Sequence, residues 1–263
     1  MTPHPHKTPS GRRLDMIMVE RGLAESQEKA QRLIMAGEVR VDGQPAGKAG
    51  HKAPEDARIE VMARPRFVGR GGDKFQAAID GFGIVVKGLV CLDVGASTGG
   101  FTDCLLQNGA AKVYAVDVGR GQIHEKLRTD PRVVVMDEIN ARYLKPELFG
   151  EPAGLAVIDV SFISLTKILP AVIQVIAPTG SIVTLIKPQF EAGRKEVGRG
   201  GVIEDPAVRA RVVEEIRLFG VEKAGLEWLG AIESPLKGPA GNVEFLGYWK
   251  MNRIRQNHLQ QNH

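Results

Sequence analysis

From residue 74 onward, short apolar runs of strand length alternate with segments that have helical periodicity. The apolar runs are 89–94, 113–118, 133–136, 155–160 and 182–187. The helical patterns are 75–82, 99–108, 168–176 and 209–219. Continuously apolar strands are buried on both faces, and strands joined through helices run parallel. This region therefore predicts an α/β fold built on a parallel sheet. Two further strand-like runs, 228–232 and 243–249, follow the last helix.

The preceding residues carry a different pattern, which predicts a small α+β domain over 11–62. A short apolar stripe ends at Gly22, and Ser26 is placed to cap a second helix that ends at Gly37. Residues 39–41 alternate as a strand does, and Asp42-Gly43 is a strong tight-turn signal. A Pro-, Arg- and Gly-rich stretch, 63–72, predicts a linker to a domain over 73–252, with flexible tails at 1–10 and 253–263.

Charge and composition restrict the partners and the compartment. Residues 1–66 contain twelve basic and nine acidic residues, a net +3 against +4 for the whole chain, which favours a polyanionic partner. The first residues lack the apolar segment of a secretory signal, and no apolar run reaches membrane-spanning length. We therefore expect a cytoplasmic protein without a membrane partner. The two cysteines predict buried free thiols, and we expect no metal site.

The stretch RRLDMIMVERGLAESQEKAQRLIMAGEVRVDG, residues 12–43, resembles an S4 RNA-binding domain. Such domains follow RNA phosphates with exposed basic side chains. The resemblance implies RNA contacts by Arg12, Arg13, Lys29, Arg32 and Arg40. The alternative is a small scaffold whose charged face is only solvated.

A glycine-rich turn follows the first apolar strand, in LDVGASTGGF at 92–101. Glycines let a backbone turn sharply and approach a ligand. Asp117 ends the next strand, where a carboxylate can accept hydrogen bonds from ribose hydroxyls. The pattern Asp-x-Gly-x-x-x-Gly-Gly resembles S-adenosylmethionine-dependent methyltransferases of Rossmann-like fold, which implies an adenine contact by Asp137, with Glu138 as its competitor. The predicted cofactor-binding residues are Gly95, Ser97, Thr98, Gly99, Gly100, Phe101, Asp117 and Asp137.

Four charged residues lie far apart in the sequence, and three of them adjoin apolar strands: Lys74, Asp159, Lys187 and Glu244. Each could be a surface charge. Because neighbouring parallel strands end at one edge of a sheet, however, Asp159 and Lys187 are expected to face one pocket. Buried charges are costly unless they are paired. The set resembles the Lys-Asp-Lys-Glu tetrad of FtsJ-like RNA ribose 2′-O-methyltransferases, which implies a central catalytic role for Lys187.

The segments RGGDK, DVGASTGGFTDCLLQNGA, DVSFISL, IKPQFE and SPLKGPAGNVEFL extend this likeness. Together with the S4 pattern they resemble the TlyA, or haemolysin A, family of ribosomal RNA 2′-O-methyltransferases. The resemblance implies methylation of a cytidine in ribosomal subunits, and a 2′-hydroxyl target excludes DNA. Departures occur at Gly69, where the family has serine, and at 137–142. Three alternatives remain: an inactive S4-type RNA-binding protein, a membrane-active haemolysin and an NAD-dependent enzyme. Ser97 weakens the last one, because it replaces the middle glycine of the dinucleotide fingerprint.

Overall fold

The computed structural model describes residues 11–48, 50–62 and 65–252, and the chain divides into two compact units at Pro65 and Arg66. The predicted tails, 1–10 and 253–263, lie outside the described residues. No helix in the described ranges combines the length and the apolar character that crossing a membrane requires.

The described residues of the first unit form two helices and two small sheets. Its elements are β1 (Arg12–Arg13), α1 (Leu14–Glu20), α2 (Gln27–Met35), β2 (Val39–Val41), β3 (Gln44–Pro45), β4 (Lys52–Ala53) and β5 (Ile59–Val61). Strand β1 pairs with β4, and β2 lies between β3 and β5. Ser26 caps α2, since its hydroxyl accepts a hydrogen bond from Lys29 N at 3.2 Å. Asp42 and Gly43 have φ of 49° and 78°, as the predicted tight turn requires.

The second unit, as described from residue 66 to residue 252, is a seven-stranded sheet with helices. Its strands are β6 (Val90–Val94), β7 (Lys112–Val116), β8 (Val133–Met136), β9 (Ala153–Ile158), β10 (Ile176–Ile186), β11 (Leu226–Glu233) and β12 (Phe245–Met251). Its helices are α3 (Gly71–Phe82), α4 (Gly100–Gln107), α5 (Glu125–Arg128), α6 (Leu169–Val172), α7 (Pro188–Glu191) and α8 (Pro206–Glu222). Short 3-10 helices cover Ala141–Tyr143, Pro146–Leu148, Leu165–Lys167, Ile173–Val175 and Arg199–Gly201.

The strand order is β11-β12-β10-β9-β6-β7-β8. Strands β6 to β10 pair in parallel, which confirms the predicted α/β class. The two late runs instead form an antiparallel pair, and β12 joins the sheet antiparallel to β10. The connection between these two strands, 234–244, contains no helix. The chain therefore returns directly beside the strand that it has just left, and the two strands run in opposite directions.

Both faces of the sheet are covered by apolar residues. Along β10, Val183 belongs to a core with Phe75 of α3, whereas Ile182 belongs to a second core with Ile216 of α8. Successive strand residues point to opposite faces, so one uninterrupted apolar strand serves both cores. This explains why the strands are recognisable as continuous apolar runs.

Residues 66–72 differ from the predicted linker, because they pack into the second unit. Phe67 is buried in its core, and Val68 N donates to Asp103 Oδ2 at 2.9 Å. Arg66 O accepts from Gln107 Nε2 at 2.9 Å. Helix α3 consequently begins at Gly71, four residues before the predicted start. The Arg- and Gly-rich composition predicted a linker, but the segment also contains an aromatic residue, Phe67, which anchors it in the core.

Candidate active site

The loops that follow the parallel strands assemble the site. The loop after β6 contains the glycine-rich turn, and Asp117, Asp159 and Lys187 follow β7, β9 and β10. In an open α/β sheet the carboxyl ends of the strands form the usual ligand-binding edge. The order of the strands therefore brings together residues that are far apart in the sequence.

Lys187 and Asp159 form an ion pair at this edge. Their Nζ–Oδ1 distance is 2.5 Å, with side chains 11% and 23% exposed. Strands β9 and β10 pair in parallel with Val157 opposite Val183 and Ile158 opposite Thr184, and this register places both side chains beyond adjacent strand ends. Lys187 Nζ also donates a hydrogen bond to Ser161 Oγ at 2.9 Å. The predicted proximity of the two charged residues is present in the structure.

Lys74 and Glu244 form a second, more deeply buried ion pair. Lys74 Nζ lies 2.5 Å from Glu244 Oε2, and the side chains are 10% and 1% exposed. Lys74 belongs to α3, and Glu244 directly precedes β12. Gly238 permits this arrangement, since a Cβ there would lie 2.5 Å from Glu244 Oε1. The tetrad is thus organised as two pairs, and the described residues show no ion pair connecting one with the other.

The glycine-rich turn has a demanding backbone geometry. Gly95, Ser97 and Gly99 have φ of 86°, 49° and 94°. A Cβ on Gly95 would lie 2.3 Å from Asp159 O, and one on Gly99 would lie 2.2 Å from Leu127 Cδ1. The positive φ favours glycine at both positions, and at Gly95 the neighbouring backbone also leaves no room for a side chain.

Asp117 fixes the neighbouring loops. Its Oδ2 accepts from Ser97 N at 2.8 Å, and its Oδ1 accepts from Gly119 N at 2.7 Å. Each carboxylate oxygen has more than one acceptor position. The side chain is oriented by the backbone and retains acceptor capacity on both oxygens.

Two cavities adjoin Asp159 of the Lys187–Asp159 pair, and the larger one also adjoins Asp117. One of about 490 Å³ includes Gly95, Ser97, Asp117 and Asp159 in its lining, with Gln122, Ile139, Asn140, Ala141, Arg142, Ser161 and Phe162. A smaller one, about 150 Å³, includes Gly95, Ser97, Thr98, Gly100, Phe101 and Asp159. The shared residues make the two cavities neighbours along the same loop.

Two predicted cofactor residues line neither cavity. Gly99 packs against Leu127 instead. Asp137 Oδ2 accepts from Gly121 N at 3.0 Å and lies 4.0 Å from Arg128 Nη2, so its carboxylate braces a loop. The chain turns at the next residue, Glu138, whose φ is 60°. The lining is supplied by the residues that come after this turn, from Ile139 onward.

Ser161 and Phe162 were not predicted from the sequence. Phe162 is 90% exposed at the cavity edge, has φ of 63° and lies 4.9 Å from the Phe190 ring, centroid to centroid. A bulky residue in the left-handed region is uncommon and occurs often at functional sites. The apolar continuation Phe162-Ile163 offered a sequence signal, but it is equally consistent with an extended strand.

Asp93, the penultimate residue of β6, is completely buried. Its Oδ2 accepts from Thr102 Oγ1 at 2.6 Å, whereas Oδ1 has no hydrogen-bond partner among the residues described. Burial raises the pKa of this carboxyl to about 7, and the negative charges of Asp159 and Asp117 add to the shift.

Comparison with known proteins identifies the family of this chain. The FtsJ-like methyltransferase model matches residues 67–250, and the S4 domain model matches residues 12–59. The 16S/23S rRNA (cytidine-2′-O)-methyltransferase TlyA of Mycobacterium tuberculosis is 47% identical over 235 residues, which cover 89% of this chain and 87% of that protein. The chain belongs to the TlyA family of FtsJ-like methyltransferases.

Other TlyA-family relatives have different names. Hemolysin A of Brachyspira hyodysenteriae is 43% identical over 238 residues, covering 90% of this chain and 99% of that protein. A solved Streptococcus thermophilus structure that bears a hemolysin name has 37% identity and a TM-score of 0.72, and the match covers 96% and 98% of the two chains. The family resemblance predicted from the sequence is confirmed.

In the S4 domain, the five predicted RNA-contact residues fall into two groups that differ in their ion pairs. Arg12 forms ion pairs with Glu20 and, at 3.3 Å, with Glu55. Arg13 donates to both oxygens of the buried Asp15, at 3.0 and 2.7 Å. The other three are exposed and have no ion pair within the described part of the chain: Lys29, Arg32 and Arg40.

Proposed function

We propose that this chain transfers the methyl group of S-adenosylmethionine to a ribose 2′-hydroxyl of ribosomal RNA, with a cytidine in a ribosomal subunit as the target. The observation that carries the proposal is the Lys187–Asp159 pair at the strand ends, in which the lysine is buried and the aspartate lines the cavity. The activity named for the M. tuberculosis relative supports the substrate and the nucleotide. A ribosomal substrate also supports a cytoplasmic location.

The residues present fit S-adenosylmethionine. Asp117 holds two oriented oxygens with remaining acceptor capacity, which suits the two hydroxyls of an adenosine ribose. Ile139 and Ala141 give the larger cavity apolar lining suited to adenine, while Asp137 does not reach it. The smaller cavity continues along the turn toward Phe101 and Asp159. When bound, S-adenosylmethionine supplies an electrophilic methyl carbon.

Lys187 is placed to act on the attacking 2′-oxygen. A 2′-hydroxyl is a very weak acid, so the site must favour negative charge on that oxygen. The amine of Lys187 accepts the proton, or its ammonium stabilises the developing charge. Asp159 orients Lys187 in either case, since it holds Nζ at 2.5 Å. The Lys74–Glu244 pair is a second, separate pair of buried charges, and its proposed role is to help position the sugar.

RNA recognition is divided between the two units. Lys29, Arg32 and Arg40 present exposed charge for phosphates, which provide affinity without sequence specificity. The Phe162 ring presents an exposed face on which an unstacked base can lie, as is common in single-strand recognition. A nucleotide displaced from its helix exposes its 2′-hydroxyl for in-line attack.

The proposal is tested by incubating protein with labelled S-adenosylmethionine and purified small or large ribosomal subunits. The wild-type chain should label RNA, and Lys187→Ala should reduce the rate about 10³-fold, because the group that manages charge at the 2′-oxygen is removed. Lys223→Ala, which removes an exposed lysine after α8, is the matched control and should retain full activity. Mapping the methylated nucleotide then identifies the target.

Other outcomes separate the alternatives. Equal labelling by Lys187→Ala would contradict the assigned role. Binding of ribosomal subunits by the wild-type chain without labelling would support an inactive RNA-binding protein. Lysis of lipid vesicles without RNA would support a haemolysin. S-adenosylhomocysteine should raise the melting temperature and NAD should not, because a ligand stabilises the state that binds it.

A further inference from the structure

Ser161 lies between the cavity and the central lysine of the site. Its Oγ accepts a hydrogen bond from Lys187 Nζ at 2.9 Å, and the residue also lines the larger cavity. Asp159 Oδ1 lies 2.5 Å from the same nitrogen and forms an ion pair with it, without the geometry of a hydrogen bond. The partner of Glu244 is Lys74, so the second carboxylate of the tetrad is engaged elsewhere.

We propose that Ser161 is a positioning residue that, together with Asp159, aims Lys187 at the reacting oxygen. This inference rests on the proposed function. A lysine nitrogen is tetrahedral and carries three positions besides its bond to Cε. The N–H directed to Ser161 Oγ sets the rotation about the Cε–Nζ bond, and this fixes the directions of the other two positions. One of those positions holds an N–H in the ammonium and the lone pair in the amine, so Ser161 can position Lys187 in both protonation states.

The loop that carries Ser161 is held on both sides. Before it, Asp159 N donates to Val94 O at 2.9 Å. After it, Leu165 N donates to Glu191 Oε1 at 2.8 Å, which ties the loop to α7. The lysine side chain itself is a flexible four-carbon stem. An acceptor on a loop that is held at both ends therefore restricts the rotation of this side chain.

The test compares Ser161→Ala with Ser164→Ala in the labelling assay. Ser164 lies in the same loop, but its hydroxyl bonds with Thr166 at 2.8 Å. Ser161→Ala should lower kcat about tenfold, as expected for a lost hydrogen bond to a charged group. KM for ribosomal subunits and the affinity for S-adenosylhomocysteine should change less than twofold. Ser164→Ala should match the wild type.

A second pair of variants separates the hydroxyl from side-chain size. Ser161→Thr keeps the hydroxyl and should stay within about threefold of the wild-type kcat, whereas the nearly isosteric Ser161→Val should resemble Ser161→Ala. The same variants can be examined without substrate by ¹⁵N NMR of labelled lysine. The Lys187 ammonium protons should exchange with water faster in Ser161→Ala and Ser161→Val than in Ser164→Ala.

Two results would overturn the inference: a wild-type kcat in Ser161→Ala and Ser161→Val, or unchanged exchange at Lys187 in both. Failure of the proposed function has a different signature. There the wild-type chain would label neither subunit, while the NMR comparison would still report whether Ser161 holds the lysine.

Discussion

Each unit of the molecule buries one aspartate completely, and the two carboxyls have opposite surroundings. Asp15 in the first unit receives two hydrogen bonds from Arg13 and one each from Gln31 and Gln27. These donors, the Arg13 guanidinium foremost, hold the pKa of Asp15 well below its usual range. Asp93 in the second unit has one hydroxyl donor and a raised pKa of about 7.

The difference separates a buried carboxylate whose charge is balanced by its neighbours from one whose charge is not. The negative charge of Asp15 is balanced by hydrogen-bond donors and a guanidinium, as is usual for a buried charge with a structural role. Asp93 is only partly compensated, and it lies two residues before Gly95, beside the negative charges of Asp117 and Asp159. Strongly perturbed carboxyls in such places are characteristic of active sites. The fold tolerates Asp93 because the apolar residues of β6 and its neighbours stabilise the strand around it.

The largest expected effect is the pH dependence that Asp93 confers on the second unit. Because its folded pKa is raised from 3.8 to about 7, its contribution to stability is fully present below pH 3.8 and is lost as the pH rises through 7. Relative to Asp93→Asn, the unfolding free energy of the wild type should fall by at most about 4 kcal/mol between pH 4 and 8.

Both tryptophans, Trp228 and Trp249, lie in the second unit, so denaturation followed by their fluorescence reports on that unit. Asp73→Asn, which changes an exposed carboxylate of α3, is the matched control and should leave the pH dependence unchanged. If the unfolding free energies of Asp93→Asn and the wild type changed equally with pH, the pKa of Asp93 would not be raised, and the contrast with Asp15 would be contradicted.

The sequence predicts those features that periodicity and topology determine. The apolar runs predict five of the strands, and adjacent parallel strands place Asp159 near Lys187. The path of the backbone beyond a strand end depends on local dihedral angles, which no periodic pattern encodes. Phe162, which has a left-handed φ and lines the cavity, was therefore not predicted as a site residue. Asp137 precedes the left-handed turn at Glu138, and it does not line the cavity, although the sequence predicted an adenine contact there.

The same limit applies to exposed charges in the S4 domain. Basic residues at 12, 13, 29, 32 and 40 look equivalent in the sequence. Only the tertiary contacts show that Arg12 and Arg13 are engaged with acidic residues of their own domain. Predicting those pairs would require knowing which side chains the fold brings into contact.

The next effect concerns Asp15. Asp15→Ala should destabilise the first unit by about 3 kcal/mol at pH 7, because a buried network of amide and guanidinium donors loses its acceptor. The folded pKa is lowered, so the contribution is present above pH 3.8 and is lost as the pH falls further.

Hydrogen exchange of peptides from residues 14–41, read by mass spectrometry, measures this effect within the first unit. Protection should decrease strongly in Asp15→Ala and remain unchanged in Asp56→Ala, which removes an exposed carboxylate of the same unit. Equal protection in both variants would show that Asp15 is not the stabilising carboxylate.

The smallest effect concerns RNA affinity, and it distinguishes engaged from available cations. Lys29→Ala should weaken binding of ribosomal RNA about three- to tenfold. It should also reduce the slope of log K against log salt concentration by about one, because one phosphate contact is lost. Arg12→Ala should weaken it less, because Arg12 must first leave Glu20 and Glu55 before it can contact a phosphate. Titrations at two salt concentrations, with Lys223→Ala as the control, measure both quantities. A larger loss in Arg12→Ala than in Lys29→Ala would mean that RNA displaces the acidic partners, and the ion pairs of the free domain would then not predict its contacts.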